Sequence, residues 1–231
     1  MMEQLRTIPV LPVVLTLFTF YIGTLCQKKT KLSLCNPILI SAVLVIVVMK
    51  LTGMSDSTYQ WGMKNLSWLL TPATVCLAIP MYEQFQILKK NLKAVLAGMA
   101  AGVMSCLSVM LVGSALLGFG RNLTVSLLSK GITTAIGVTL TEMFGGTPSI
   151  TTLGILVTGI CGNMFGKQFC KWFGVTNEIA QGVAFGTGAH VIGTAKANEI
   201  SPLCGAVSSL SLVTAGLMTA LALPVLVNFI G

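Results

Sequence analysis

Long apolar runs separated by short, lysine-bearing gaps constrain this sequence more than any single motif does. Only 9% of its 231 residues are charged, whereas ordinary soluble domains carry about 25%. Fourteen basic and six acidic side chains cannot cover a water-soluble globule of this size. The sequence therefore excludes a soluble enzyme, a nucleic-acid-binding protein and a disordered chain, and it predicts an all-α polytopic membrane protein.

Six of the apolar runs are interpreted as full membrane spans, each of which needs roughly 20 residues or somewhat fewer if the span is broken. A polar loop containing Asp56 is expected between the second and the third span. The first run is kept as a span because lysines follow it and no small-residue cleavage site does. The six runs are residues 8–26, 37–51, 66–79, 94–117, 149–165 and 203–229.

Two further apolar segments carry glycines, threonines and ionisable side chains, and they resemble helices interrupted in their middle. Residues 123–144 read LTVSLLSKGITTAIGVTLTEMF and contain Lys130 and Glu142. Residues 179–197 read IAQGVAFGTGAHVIGTAKA and contain His190, the only histidine of the chain. Irregular backbone at membrane depth is tolerated only where protein or water covers it.

The lysines set the expected orientation, because cytoplasmic loops of membrane proteins are rich in lysine and arginine. The clusters at residues 28–31, 89–93 and 167–171 all face the cytoplasm only if residues 123–144 enter and leave on the outer face. Residues 179–197 then start in the cytoplasm and are expected, by the same logic, to return there. This predicts six full spans, two re-entrant hairpins from opposite faces and both termini outside. If both segments instead cross fully, the chain has eight spans and Lys167 and Lys171 lie outside. Residues 1–231 are expected to form one membrane domain, with N-terminal spans in 1–122 and the hairpins in 123–231.

A weak internal similarity accompanies this arrangement. Residues 69–83 and 127–142 share a leucine pair, a following hydroxyl side chain, further threonines and a glutamate. The similarity is that of an inverted repeat, as found in secondary transporters, or a coincidence in a sequence of low complexity.

The interrupted segments supply the candidate site, because free N–H groups at the start of a half-helix favour a small anion. Lys130 is interpreted as a carboxylate ligand or, alternatively, as a residue that reaches the membrane surface. Thr133 and Thr134 either donate to the anion or bond to their own helix. His190, whose unperturbed pKa is near 6.5, binds substrate, carries a proton or is structural. Glu142 is placed at the mouth of the first hairpin and is a second candidate for proton coupling.

Nothing in the sequence fits an enzyme. A single histidine, with no cluster of metal ligands, no GxSxG and no P-loop, leaves no template for acid–base or nucleophilic catalysis. Neither a metal nor a cofactor is expected.

Several stretches resemble the LrgB/CidB family of bacterial membrane proteins, and together they cover nearly the whole chain. Residues 71–82, TPATVCLAIPMY, match one family motif with Thr71 in place of glycine. Residues 129–137, SKGITTAIG, match a second motif in which the family has prolines at the positions of Ser129 and Ala135. Residues 186–197, GTGAHVIGTAKA, and residues 206–210, AVSSL, are the most specific matches.

The resemblance implies two kinds of function. Family members are described as holin- or antiholin-like regulators of murein hydrolases and autolysis, with small membrane partners of the LrgA/CidA type. Relatives are carriers of small carboxylates, including plastidial glycolate/glycerate translocators and bacterial pyruvate transport proteins. Carried over by position, the candidate substrate site is Lys130, Thr133, Thr134, His190, Thr194, Ser208 and Ser209.

Of these two functions, the sequence favours transport, because its polar groups are concentrated at two glycine-rich breaks and do not form a water-facing helix stripe. We therefore expect a secondary carrier for a small 2-oxo or 2-hydroxy monocarboxylate in the bacterial inner membrane. An elevator-like homodimer is expected by analogy with other carriers. The alternative is the holin- or antiholin-like regulator.

Overall fold

The structure, a computed structural model, describes residues 10–30, 36–69, 72, 75, 76 and 78–230. These residues are almost entirely helical, with no β-strand among them, as the all-α prediction requires. They belong to two compact units, Met1–Cys76 and Leu77–Gly231.

The first unit contains three described helices: α1 (Leu11–Thr30), α2 (Pro37–Thr52) and α3 (Asp56–Trp68). Asn36 caps α2 by accepting a hydrogen bond from the N–H of Ile38, and Gly53 ends it in the left-handed conformation at φ 64°. Helix α1 meets α2 through a 2.9 Å hydrogen bond between Thr19 and Ser41.

The polar stretch that follows α2 is a helix, so the prediction of a loop around Asp56 is wrong. Ser55 accepts a hydrogen bond from the N–H of Thr58 at 3.2 Å, and Asp56 places a negative charge in the first turn. Both features stabilise a helix N-terminus. A 2.6 Å hydrogen bond between the hydroxyls of Tyr59 and Thr16 then holds α3 against α1.

The second unit begins with two short helices, α4 (Ala78–Glu83) and α5 (Phe85–Lys90), followed by the long α6 (Leu92–Leu116). The elements after α6 are α7 (Arg121–Leu128), a 3₁₀ turn (Ser129–Gly131), α8 (Thr134–Met143), α9 (Pro148–Trp172), α10 (Glu178–Ile200) and α11 (Pro202–Val227).

Four of the described helices are long and apolar enough to cross a membrane, namely α1, α6, α9 and α11. Helix α2 is apolar but shorter, with 16 residues. Residues 70, 71, 73, 74 and 77 of the predicted third span lie outside the described part of the chain. Six full spans therefore stay a prediction.

The first interrupted segment folds back on itself. Helix α7 ends at Leu128, and α8 starts at Thr134 after the 3₁₀ turn. The side-chain amide of Asn122 donates to the carbonyl of Gly145 at 2.8 Å, so the two ends of the segment lie side by side. Residues 121–145 are called the first hairpin below, and residues 129–133 are its tip.

The second interrupted segment also folds back. Helix α10 contains a single non-helical residue, His190, with φ 41° and ψ −134°. The hydroxyl of Ser201 donates to Glu178 at 2.7 Å, whereas a straight helix of 23 residues would separate its ends by about 35 Å. Residues 178–201 are called the second hairpin, and His190 is its tip.

The two hairpins open at opposite ends of α9. The base of the first hairpin adjoins the start of α9, where the N–H of Thr147 donates to the hydroxyl of Ser126 at 2.7 Å. The second hairpin starts beyond the end of α9, after a left-handed turn at Gly174. Helix α11 runs back towards the base of the first hairpin, where the side chain of Arg121 donates to the carbonyl of Ile230 at 2.8 Å.

Candidate functional site

Lys130, in the tip of the first hairpin, lies along the middle of α9. A methyl group added at Gly154 would be 3.2 Å from the Cβ of Lys130, so the lysine stem crosses α9 where no side chain stands in its way. One turn further on, the Nζ of Lys130 donates to the hydroxyl of Thr158 at 3.4 Å. The side chain is half-buried and therefore presents a positive charge at this level of α9.

His190, the tip of the second hairpin, lies on the adjacent side of α9 and is only 2% exposed. A methyl group at Gly159 would be 2.8 Å from the Cε1 of His190, so the ring packs against α9 at this residue. The Nε2 atom is buried and has no hydrogen-bond partner among the described residues. Leaving such a group unpaired costs roughly 1–3 kcal/mol, which makes Nε2 the natural ligand-binding atom of this tip.

The two tips thus meet on consecutive turns of one helix. Lys130 lies against α9 at Gly154 and Thr158, and His190 lies against it at the neighbouring Gly159. The positive charge of Lys130 is close enough to act on the imidazole of His190. We call Lys130, Thr158 and His190 the tip site.

Helix α6 brings the same two hairpins together from another direction. A methyl group at Gly102 would be 2.9 Å from the hydroxyl of Thr187, in the second hairpin. One turn further along α6, the sulfur of Cys106 lies against Gly131 in the first tip. Both long helices therefore place the hairpin tips at one level.

Thr194 and Ser208 hold the break at His190 in place. Thr194 donates to the carbonyl of His190 at 2.9 Å and shares a 2.8 Å hydrogen bond with Ser208, and both residues are fully buried. These bonds link the arm that follows the break to α11. Ser209 donates to the carbonyl of Gly205 at 2.9 Å, within its own helix. These three predicted site residues bond within the protein and support the second tip.

The remaining predicted site residues belong to the first hairpin. Thr133 precedes α8, where its side chain makes no capping bond, and Thr134 is exposed at the start of that helix. Both stand close to Lys130 in the chain, with the free N–H groups of α8 beside them. Glu142 lies at the other end of α8, exposed at the base of the hairpin, and the structure does not bring it to the tip site. In the described ranges no three potential metal ligands cluster.

The sequence model of the LrgB-like family matches residues 16–229, which is nearly the whole chain. The chain belongs to the LrgB-like family. The resemblance seen in the sequence motifs is therefore confirmed, and the apolar helices together with the family indicate a membrane protein. No solved structure matches this chain.

Three motifs of this LrgB-like protein converge on the tip site. Residues 129–137 contain the first tip, and residues 186–197 contain the second. Residues 206–210 contain Ser208, which bonds to Thr194 behind the second tip. Three of the four stretches that carry the family resemblance therefore lie at this site or directly behind it, whereas residues 71–82 lie partly outside the described residues.

Thr158 is the member of the tip site that the sequence did not reveal, because it lies in a plain apolar span. Thr151 and Thr152, in the first turn of α9, each donate to a backbone carbonyl four residues earlier. Thr158 makes no such bond and instead accepts one from Lys130. Its hydroxyl hydrogen is therefore available to a ligand beside that lysine. The only sequence signal was its place between Gly154 and Gly159, because glycines in a membrane helix allow neighbouring segments to approach closely.

Proposed function

We propose that this LrgB-like protein is a secondary carrier of a small monocarboxylate of the 2-oxo or 2-hydroxy type, such as pyruvate, glycolate, lactate or glycerate. One observation carries the proposal: from two hairpins, the Nζ of Lys130 reaches Thr158 of α9, and the ring of His190, whose Nε2 is buried and unpartnered among the described residues, packs beside the adjacent Gly159. A single positive charge with a second polar atom beside it suits a singly charged acid. The family alone is equally consistent with a regulator of autolysis.

The state of His190 favours a carrier that moves a proton with the anion. The buried Nε2 atom of His190 has no hydrogen-bond partner among the described residues. A histidine nitrogen that carries a proton can donate to a carboxylate, whereas a bare lone pair cannot. We propose that Nε2 donates to the carboxylate from a protonated ring and that this proton travels with the substrate.

We further propose that both hairpins re-enter the membrane from opposite faces. From Glu178 to His190 a helical arm rises about 18 Å, roughly half of the 30 Å hydrocarbon core plus a short margin. The lysines that end α5 and α9 then face the cytoplasm of a bacterial inner membrane. A homodimer, a small membrane partner and elevator-like movement are proposed on the resemblance and on analogy with other carriers.

The decisive experiment is uptake of labelled pyruvate into proteoliposomes, with and without an inward proton gradient. We expect saturable uptake that the gradient stimulates, that glycolate, lactate and glycerate inhibit, and that Lys130→Met abolishes. Lys196→Met is the matched control, because Lys196 forms a 2.6 Å ion pair with Glu199 near the base of the second hairpin. Unselective leakage of unrelated solutes would overturn the proposal in favour of a holin-like regulator.

A further inference from the structure

A groove of about 450 Å³ lies between α6 and the first arm of the second hairpin. Asn91 and Asn177, which precede α6 and α10, line the end of the groove beside the lysines at the start of α6, which we call its outer end. Gly102 and Thr187 line its inner end, and Thr187 is three residues before His190 in the second hairpin. The groove therefore runs from one end of the helices towards the tip site.

Small side chains determine how far the groove is open. At Gly98 a methyl group would be 3.4 Å from the nearest carbon of Val183, which is ordinary contact. At Gly102 the corresponding distance to the hydroxyl of Thr187 is 2.9 Å, which leaves no room for a methyl group, so the space between the walls is narrower there. One turn beyond, Cys106 lies against the first tip. The inner end is thus closed by a single layer of side chains before the tips.

The charges at the outer end suit an anion. Lys89, Lys90 and Lys93 flank Asn91 along the chain, and all three are exposed. The acidic Glu178 follows Asn177, and its carboxylate accepts a hydrogen bond from Ser201. The excess of positive charge raises the local concentration of small anions and repels cations.

We infer that this groove is the water-filled route by which the carboxylate passes between the lysine-bearing face and the tip site. The inference rests on the proposed carrier function. It adds the face of the membrane from which the carboxylate enters and identifies the conformation as the one that is open to that face. The groove is open to the lysine-bearing face, and the narrowing between Gly102 and Thr187 is its inner barrier. The occupant is a small anion with its water, which fits a narrow cleft that small residues keep open.

The first test is chemical labelling, which does not depend on transport. Val183→Cys is placed in a chain whose native cysteines are replaced by alanine or serine, and a charged, membrane-impermeant methanethiosulfonate is added from either face. We expect labelling from the lysine-bearing face only, slowed severalfold by saturating pyruvate. Met104→Cys, which is exposed on a different face of α6 from Gly98 and Gly102, is the control and should stay unlabelled because it faces lipid. A Val183→Cys protein that stays unlabelled from both faces would overturn the inference.

The second test blocks the groove. Gly98→Trp fills it, whereas Gly113→Trp places the same side chain on α6 in open space, where an added Cβ meets no atom within 4 Å. We expect Gly98→Trp to slow pyruvate uptake by roughly tenfold or more, a barrier raised by about 1.4 kcal/mol, with Gly113→Trp close to wild type. Wild-type uptake in a folded Gly98→Trp protein would contradict the route.

The two tests separate failure of the route from failure of the carrier. If wild-type protein takes up no pyruvate while Val183→Cys is labelled from one face, the proposed function is wrong and the groove is still aqueous. If wild type transports and the labelling fails, the function stands and the route is wrong.

Discussion

The two hairpins meet at one site but are built differently. In the first, the break is spread over residues 129–133, and the side chain at the tip is the half-buried, flexible Lys130. In the second, the break is confined to His190, whose ring is buried and whose carbonyl is bonded by Thr194. A charge can act from a flexible side chain, whereas a proton site needs a fixed position. The first tip therefore supplies a positive charge, and the second supplies an imidazole held in a fixed position.

This difference separates function from stability. Changes at Lys130 should alter binding with little effect on folding, because its side chain is partly exposed and its backbone is unstrained. Changes at His190 should alter both, because its side chain is buried and its backbone is held at φ 41°, a value that residues with a Cβ avoid.

The largest expected effect is at His190, in a comparison of His190→Gly with His190→Ala. Both variants lack the imidazole, and we expect both to lose proton-coupled pyruvate uptake in proteoliposomes. We expect His190→Gly to be more stable than His190→Ala by about 1 kcal/mol or more. The reason is that φ 41° and ψ −134° resemble the first central residue of a type II′ turn, which is normally glycine. Within a regular helix the order is reversed, and glycine is less stable than alanine by a similar amount.

Thermal unfolding of the two variants in detergent measures that difference. His190→Asn serves as a further point in the series, because asparagine tolerates positive φ better than alanine. A higher unfolding temperature for His190→Ala than for His190→Gly would mean that the second hairpin does not require this backbone conformation.

The next effect is at Lys130. Lys130→Met keeps most of the stem that crosses Gly154 and removes only the charge. Because a hydrogen bond to a charged group contributes about 1.5–3 kcal/mol, we expect affinity for pyruvate to fall by roughly 10- to 100-fold. Unfolding free energy should change by no more than about 0.5 kcal/mol, as at other partly exposed positions. A large loss of stability without loss of binding would reverse the roles assigned to the two tips.

The sequence located both breaks, because glycine, threonine and an ionisable residue within an apolar run are unusual enough to be seen. It did not locate the second break within its segment. Glycines at 182, 186, 188 and 193 suggested a loose stretch, but the chain turns at His190 itself. Gly186 serves packing instead: a methyl group there would be 2.6 Å from the Cβ of Ser211. Pattern alone cannot tell a glycine that bends the chain from one that admits a neighbouring helix.

The sequence also could not assign partners to polar side chains. Thr194 and Ser208 were candidates for substrate binding, yet they bond to each other across two helices. Thr158 was passed over because a single hydroxyl in a span ordinarily bonds to its own helix. The helix around Asp56 was taken for a loop because its polar composition outweighed its capping residue, Ser55. For the threonines, the deciding contact joins residues that are distant in the chain. For the helix around Asp56, it is a single capping residue, which the polar composition of the stretch outweighed.

A smaller effect is expected where the hairpins rest on α9. In Gly159→Ala the new Cβ would be 2.8 Å from the Cε1 of His190 and 2.8 Å from Ile192, so a fixed ring must move. In Gly154→Ala it would be 3.2 Å from the stem of Lys130, which can shift. We expect Gly159→Ala to raise KM for pyruvate by roughly tenfold, equivalent to about 1.4 kcal/mol, with Gly154→Ala within about twofold of wild type. Equal effects would mean that both tips are equally rigid.

The smallest effect is at Thr158, on the α9 surface that the tips share. Thr158→Val keeps the shape and removes a neutral hydrogen bond, which contributes about 0.5–1.5 kcal/mol, so KM should rise by roughly 2- to 12-fold. Thr158→Ser should restore uptake, and Thr152→Val, whose hydroxyl bonds only to its own helix at Pro148, should leave KM unchanged. The test also separates the tips. If Thr158 works with Lys130, the effect of Thr158→Val on the affinity for pyruvate, measured by equilibrium binding, shrinks severalfold in a Lys130→Met background and persists in His190→Asn, because only the lysine shares a hydrogen bond with Thr158.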